Sequence, residues 1–219
     1  ERAQQMGIPV ILVDRKTQSK KYTAFIGCDN YLLGKLVGDY IAQRLKGKGR
    51  IVEIRGLDNS SPAIDRHRGF VDALNAYPDL KIVASESGDW KEQSGSEVMK
   101  RVLSKTQDFD YVFAQNDRMA YGAYKVACEH GLQDKCRFVG IDGLAGKDGG
   151  LELVRQGVLE ASLLYPTKGD EVIALAMKIL RHEPFARDNY LPTSIVTRNN
   201  AELILMEAKD SEQQRSSLD

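Results

Sequence analysis

The chain has 219 residues, enough for one large domain or two small ones. Thirty-one Lys and Arg balance thirty-one Asp and Glu, so the basic footprint of a nucleic-acid binder is absent. A hydrophobic share of 42% beside 28% charged residues fits a soluble globular protein, and no apolar run reaches the roughly 18 residues of a membrane span.

The elements alternate. Val10–Val13 and Thr23–Gly27 read as strands, and Asp29 or Asn30 caps a helix whose apolar stripe runs from Leu32 to Leu45 before Gly47 stops it. Ile51–Ile54 is the next strand, followed by a helix with Pro62 in its first turn that Pro78 ends. The pattern continues with strands at Lys81–Ala84, Tyr111–Ala114, Arg137–Ile141, Leu159–Leu164 and Thr193–Thr197. Helices are expected over Gln93–Ser104, Asp117–His130, Gly150–Gln156 and Lys168–Arg181. Such alternation predicts an α/β fold with a parallel sheet covered by helices on both faces. Beyond Thr197 one apolar patch, Leu203–Met206, precedes an almost wholly polar stretch, either a frayed tail or the start of a connecting helix.

Three cysteines and three histidines show no CxxC or HxxxH spacing, so neither metal nor cofactor is called for. Cys128 and Cys136, eight positions apart, stand either as two ordinary thiols or as a disulfide. There is no GxGxxG and no GxSxG, and Gly143-Leu-Ala-Gly-Lys147 has the wrong spacing for a phosphate loop. Nothing points to catalysis.

What does gather is polar chemistry at the carboxyl ends of the strands, where open α/β sheets bind ligands. Asp14 and Arg15 follow the first strand. Gln115, Asn116 and Asp117 follow Tyr111–Ala114, Asp142 follows Arg137–Ile141, and Tyr165 follows Leu159–Leu164. Trp90, the single tryptophan, lies in the loop after Lys81–Ala84, and Arg66 sits early on the helix after Ile51–Ile54. Carboxylate, guanidinium, amide and aromatic face together suit a sugar, whose hydroxyls donate and accept and whose ring presents a C–H face. Each has a plainer reading: Asp117 as a helix N-cap, Asp142 as a turn residue, Arg66 in a surface ion pair with Asp65, Trp90 as cover for a core edge.

Gly7–Arg15, Asp29-Asn30 with Gly34, Ala63–Phe70, Phe113–Asp117 with Met119-Ala120 and Gly122-Ala123, and Val139–Gly143 together resemble the periplasmic sugar-binding proteins of the ribose-binding type. The resemblance implies two Rossmann-like lobes of the type I periplasmic binding fold. Residues 1–28 and 165–193 would form the amino-terminal lobe, 29–164 and 194–198 the carboxy-terminal lobe, and 199–219 a tail toward a membrane. It implies hinge crossings at Cys28–Asp29, Leu164–Tyr165 and Thr193–Ser194. Asp14 and Arg15 would serve one lobe, Arg66, Asn116 and Asp142 the hydroxyls on the other, and Trp90 would stack. Tyr165 replaces a glutamine of the ribose binders, which argues against ribose itself. The family's first strand–helix–strand–helix has no counterpart here, and Glu1–Met6 looks like a helix end, so the amino-terminal lobe is expected to be incomplete and to leave apolar sheet surface uncovered.

The extension over Asn200–Asp219, with Val13–Lys16, Pro62–His67 and Tyr165–Asp170, is most similar to periplasmic sensor domains of hybrid two-component histidine kinases, including a fructose-sensing relative. That likeness implies a periplasmic, non-enzymatic monosaccharide sensor, anchored to the inner membrane through its parent protein. Homodimerisation stays open. A transport-binding protein, the effector domain of a lactose-repressor-type regulator and a sugar-modifying enzyme are the alternatives.

Overall fold

The structure, a computed structural model, describes residues 2–166 and 169–216, with side chains as far as residue 208. A short helix α1 (Arg2–Gln5) leads into β1 (Ile11–Val13) and β2 (Ala24–Gly27). Then follow α2 (Asn30–Arg44), β3 (Lys48–Arg55), α3 (Ser61–Leu74), β4 (Asp79–Ser87), α4 (Glu92–Leu103), β5 (Tyr111–Ala114) and α5 (Asp117–Glu129). The chain continues through β6 (Arg137–Asp142), α6 (Gly150–Gln156), β7 (Ala161–Leu164), α7 (Gly169–Leu180), β8 (Asp188–Tyr190), β9 (Ile195–Thr197) and α8 (Ala201–Ser216). The expected helix start at Lys168, the Thr167-Lys168 part of one motif and the last three residues lie outside the described residues.

Two sheets result. One has the order β1-β2-β8, the other β4-β3-β5-β6-β7-β9. The chain passes from the first to the second between β2 and α2, back between β7 and α7, and forward again between β8 and β9. At these passages Thr193 Oγ1 donates to the Leu164 carbonyl at 2.7 Å, and the Leu164 amide donates to the Ser194 carbonyl at 2.9 Å. Cys28 is buried there, and burial pushes its thiol up to about 11. Asp29 is the N-cap of α2, accepting from the Leu32 amide at 3.0 Å.

The expectation of an all-parallel sheet needs one correction: β9 runs antiparallel to β7. The chain re-enters the larger sheet beside Leu164, at the strands' carboxyl ends, so it can only run away from them. The strand β8 was not anticipated. Its residues, Asp-Asn-Tyr, carry no hydrophobic pattern and are held through main-chain pairing with β2. The tail beyond β9 is helical, and Ala201 and Leu205 dock it on the core that α6 shares.

Strand alternation sorts the larger sheet's side chains onto two faces. Ile51, Tyr111, Phe113, Val139, Ile141, Ala161 and Leu163 pack under α2 and α3, where the Phe70 and Phe113 rings lie 4.7 Å apart. Val52, Ile54, Val112, Ala114 and Phe138 pack under α4, α5 and α6. Helices α2 and α3 cross at backbone contact: a Cβ on Gly34 would come within 2.0 Å of the Arg66 carbonyl, and one on Gly69 equally close to that of Tyr31. The smaller unit has a thinner core, Ala24, Ile26, Leu175 and Ile179. Met6, Ile8, Val13, Ile173, Met177 and Leu180 stay exposed around it; only Val13 lies on a strand, the others being on α7 or ahead of β1. Cys128 and Cys136 are free thiols, one exposed and one buried.

Two fully buried polar positions break the apolar rule of the larger sheet, Ser162 on β7 and Glu53 on β3. Glu53 accepts from Ser85 Oγ at 2.6 Å and faces His67 Nδ1 at 2.7 Å. The hydrogen bond to Glu53 raises the imidazole's pKa, against its own partial burial and the weaker charge of Arg55, with Asp58 adding slightly. A raised native-state value makes the stabilisation fully present below the ordinary value near 6.5, and it fades as pH climbs through the native value. His67→Gln keeps a donor and removes the charge. The variant is therefore expected to unfold at lower urea than the parent at pH near 5.5 and to converge on it by pH near 8.5. A difference that stays flat across that range would exclude the charge pair.

Candidate functional site

Asp14, Arg15, Arg66, Trp90, Asn116, Asp142 and Tyr165 all line one cavity of about 280 Å³, together with Pro62 and Leu144, which sequence reading did not single out. The cavity lies where the carboxyl ends of both sheets face each other. Asp14 and Arg15 enter from the β1 end, and the others from α3, the β4–α4 loop, the α5 cap, the end of β6 and the segment after β7.

Arg66 is 4% exposed, so the plain reading of a surface pair with Asp65 fails; Arg68 makes that pair, at 3.0 Å. The Arg66 guanidinium donates through Nε to Asn30 Oδ1 at 2.8 Å and through Nη1 to the Gln115 carbonyl. It stands 5.5 Å from the Trp90 ring centroid and 5.1 Å from that of Tyr165, within cation–π range of both. Burial lowers its pKa, and the charges of Asp142, Tyr165 and Asp14 oppose that.

Tyr165 Oη donates to Asp14 Oδ1 at 2.6 Å, and burial first, then this bond, raises the phenol's pKa. Exposed Arg15 reaches Asp14 Oδ2 at 3.3 Å and lies 5.8 Å from the Trp90 ring. The Trp90 indole also packs on the core beneath α4, so it does cover a core edge as well as wall the cavity. Its ring packs against Gly56, where a Cβ would fall 2.1 Å from the indole. The buried indole N–H finds no partner among the described residues.

The plain reading of Asp117 as an N-cap is corrected. Asn116 is the cap, its Oδ1 accepting from the Met119 amide at 2.9 Å while its Nδ2 donates to the Trp90 carbonyl at 3.1 Å. Asp117, one residue into the helix, turns its carboxylate inward. It accepts from the Gly143 amide and from Ser162 Oγ, both at 2.7 Å, which pins the turn carrying Asp142. Burial pushes Asp117 up to about 6, moderated by those bonds. Burial pushes Asp142 up to about 7, with the Asp117 charge adding and the Arg66 charge opposing. No described residue donates a hydrogen bond to the Asp142 carboxylate.

Asp14, Trp90 and Asp142 all have positive φ, at 69°, 65° and 131°. Non-glycine residues rarely adopt these angles, and each costs on the order of 1–3 kcal/mol and persists only where its surroundings fix it. Three such residues around one cavity mark a preorganised site. Acceptors (Asp14, Asp142), donors (Arg15, Arg66) and aromatic walls (Trp90, Tyr165) converge on it, while no group of three His, Cys, Asp or Glu among the described residues is placed to hold a metal.

Two α/β units joined by three passages, with a polar cavity across their facing strand ends, define a two-lobed ligand-binding domain. The family model for the periplasmic binding protein domain matches residues 1–184, and the chain belongs to that family, with its type I fold. Over 183 residues the chain is 34% identical to the ribose import binding protein of Salmonella typhimurium, covering 83% of this chain but 60% of that protein. It is 37% identical over 138 residues to the galactofuranose-binding protein of Escherichia coli, covering 60% of this chain and 43% of that one. Among solved structures, the fructose-binding periplasmic domain of a hybrid two-component system superimposes with a TM-score of 0.96 at 45% identity, over 99% of this chain and 72% of that one. The chain thus spans about three-fifths of the ribose relatives' length.

Proposed function

We propose that this chain is the extracytoplasmic monosaccharide-binding domain of a two-component signalling kinase, and that it closes on a fructose-like sugar. The observation that carries the reading is the convergence of Asp14, Arg15, Arg66, Trp90, Asn116, Asp142 and Tyr165, drawn from both sheets, on one small cavity. Its volume sits at the low end of small-molecule pockets, near 300 Å³. The 45% likeness to a fructose-binding sensor domain supports both the sugar and the signalling role. The reading makes the domain a binder and not an enzyme, with a sugar rather than a nucleic acid as its partner.

The mechanism is a population shift. A sugar touching both lobes binds the closed arrangement better than the open one and draws the equilibrium toward it. Moving from mostly open to mostly closed takes about 5 kcal/mol of differential affinity. A contact across the cleft is ready to join it: the Lys16 amide donates to Ser61 Oγ at 3.0 Å, while Lys16 Nζ is held within its own lobe by Tyr190 and Asp188 at 3.1 and 3.0 Å. The passages around Cys28–Asp29, Leu164–Tyr165 and Thr193–Ser194 serve as the hinge. Helix α8, docked through Ala201 and Leu205, carries the movement onward to a membrane-anchored kinase. A second reading, the binding component of a sugar transporter, draws on the ribose import relatives.

Calorimetric titration of the full-length protein with fructose, ribose, glucose, galactose and arabinose tests the proposal. Saturable binding of fructose, lost on Trp90→Ala, is the expected result, and fructose-dependent autophosphorylation separates sensor from transporter. Absence of heat with all five sugars would overturn it.

A further inference from the structure

Gln115 does not line the cavity, is fully buried, and makes more bonds than any residue that does. Its Oε1 accepts from the Gly56 amide at 3.0 Å, and its Nε2 donates to Glu53 Oε1 at 3.1 Å and to the Ala63 carbonyl at 3.2 Å. Its own carbonyl receives Arg66 Nη1. Gly56 is the residue on which the Trp90 indole lies. One side chain therefore fixes the strand end under the aromatic wall, the first turn of α3, and the peptide holding the buried guanidinium. Behind it Glu53 is itself braced by Ser85 and His67.

We infer that Gln115 is a positioning residue: with Glu53 it sets the places of Arg66 and Trp90 together, so that the cationic and aromatic walls of the cavity form a single unit. The consequence for ligand affinity rests on the sugar-binding reading; the coupling to Trp90 does not. All three donors facing Glu53, from Gln115, Ser85 and His67, match a carboxylate.

Gln115→Glu keeps the acceptor for Gly56 but sets a second carboxylate against Glu53 and removes the donor to Ala63. The exchange Glu53→Gln with Gln115→Glu restores the pair in reverse. The new Gln at 53 donates to the new Glu at 115 and still accepts from His67 and Ser85, leaving Ala63 alone without its donor.

The test uses the full-length protein labelled with 5-fluorotryptophan, the Trp90 resonance being assigned by its loss in Trp90→Phe. Without ligand, Gln115→Glu should displace that resonance, and the exchange should return it toward the parental position. With fructose as probe, Gln115→Glu should weaken binding about tenfold or more, and the exchange should recover most of it. A folded Gln115→Glu with parental resonance and affinity would overturn the inference, as would an exchange no better than the single change. Should Gln115→Glu not fold, the exchange decides alone: a parental resonance upholds the coupling, and a displaced resonance or an unfolded chain overturns it. If the parent binds no fructose, the sugar reading fails, and the ligand-free resonance still decides on Gln115.

Discussion

Arg66→Ala is expected to reduce sugar affinity by about a hundredfold or more, close to 3 kcal/mol. The guanidinium is 4% exposed, bonded to Asn30 and the Gln115 carbonyl, and set between the Trp90 and Tyr165 rings. Its removal does three things at once. It takes away a charged donor to ligand hydroxyls, leaves two buried acceptors without partners, and strips Asp142 of the nearby charge that favours its ionised form. Arg66→Lys should recover little of the loss, because an ammonium cannot span Asn30 and Gln115 as the planar fork does. Arg66→Met, which retains most of the stem's packing, separates charge from volume. Calorimetry of the three variants reads the order directly. Affinity within about threefold of the parent in Arg66→Ala would remove this residue from the site.

Much of this architecture was readable from local chemistry. β-branched and aromatic runs marked β2, β3 and β5, and 3.6-residue stripes marked α2 and α5. Polar residues just past the strands marked the cavity, because strand ends are where an α/β sheet leaves side chains free of packing. Other features depend on tertiary pairing and leave no local trace. Strand β8 is three polar residues held by main-chain bonds, and the reversed direction of β9 follows from where its passage enters the sheet. Asn116 and Asp117 are both competent caps; which one caps was decided by Gly143 and Ser162, distant in sequence, drawing Asp117 inward. The positive φ of Asp14, Trp90 and Asp142 is equally silent in the sequence. A signal for the Gln115 network did exist: Glu53 is a carboxylate in the middle of the apolar strand Ile51–Ile54, a placement that demands buried donors. For Glu53, on β3, those donors are Gln115, Ser85 and His67, the residues beneath the site.

Asp142→Asn should make the protein more stable at neutral pH and a poorer binder, and the two effects share one cause. Burial, with the Asp117 charge behind it, pushes the Asp142 carboxyl up to about 7, well above its unfolded value near 4. A carboxyl raised in the native state costs nothing while it is protonated in both states. As pH rises from about 4 to about 7 the unfolded chain ionises first, and stability is lost on the order of 2 kcal/mol or more. Asparagine escapes that loss, so its stability advantage should be smallest near pH 4, already growing by pH 5 and full near pH 8. Binding has the opposite sign, since ligand hydroxyls donate best to the ionised carboxylate. Parental affinity should therefore climb between about pH 6 and pH 8 and then level off, whereas Asp142→Asn should bind about tenfold more weakly at pH 8 without that climb. A slope remaining in the variant below about pH 6.5 is expected from Asp117, held near 6 and still present. Urea unfolding and calorimetry at the same pH values check both halves. A variant that gains stability with unchanged affinity would make Asp142 a strained turn residue only, and one that loses both would mean that its carboxylate supports the fold rather than the ligand.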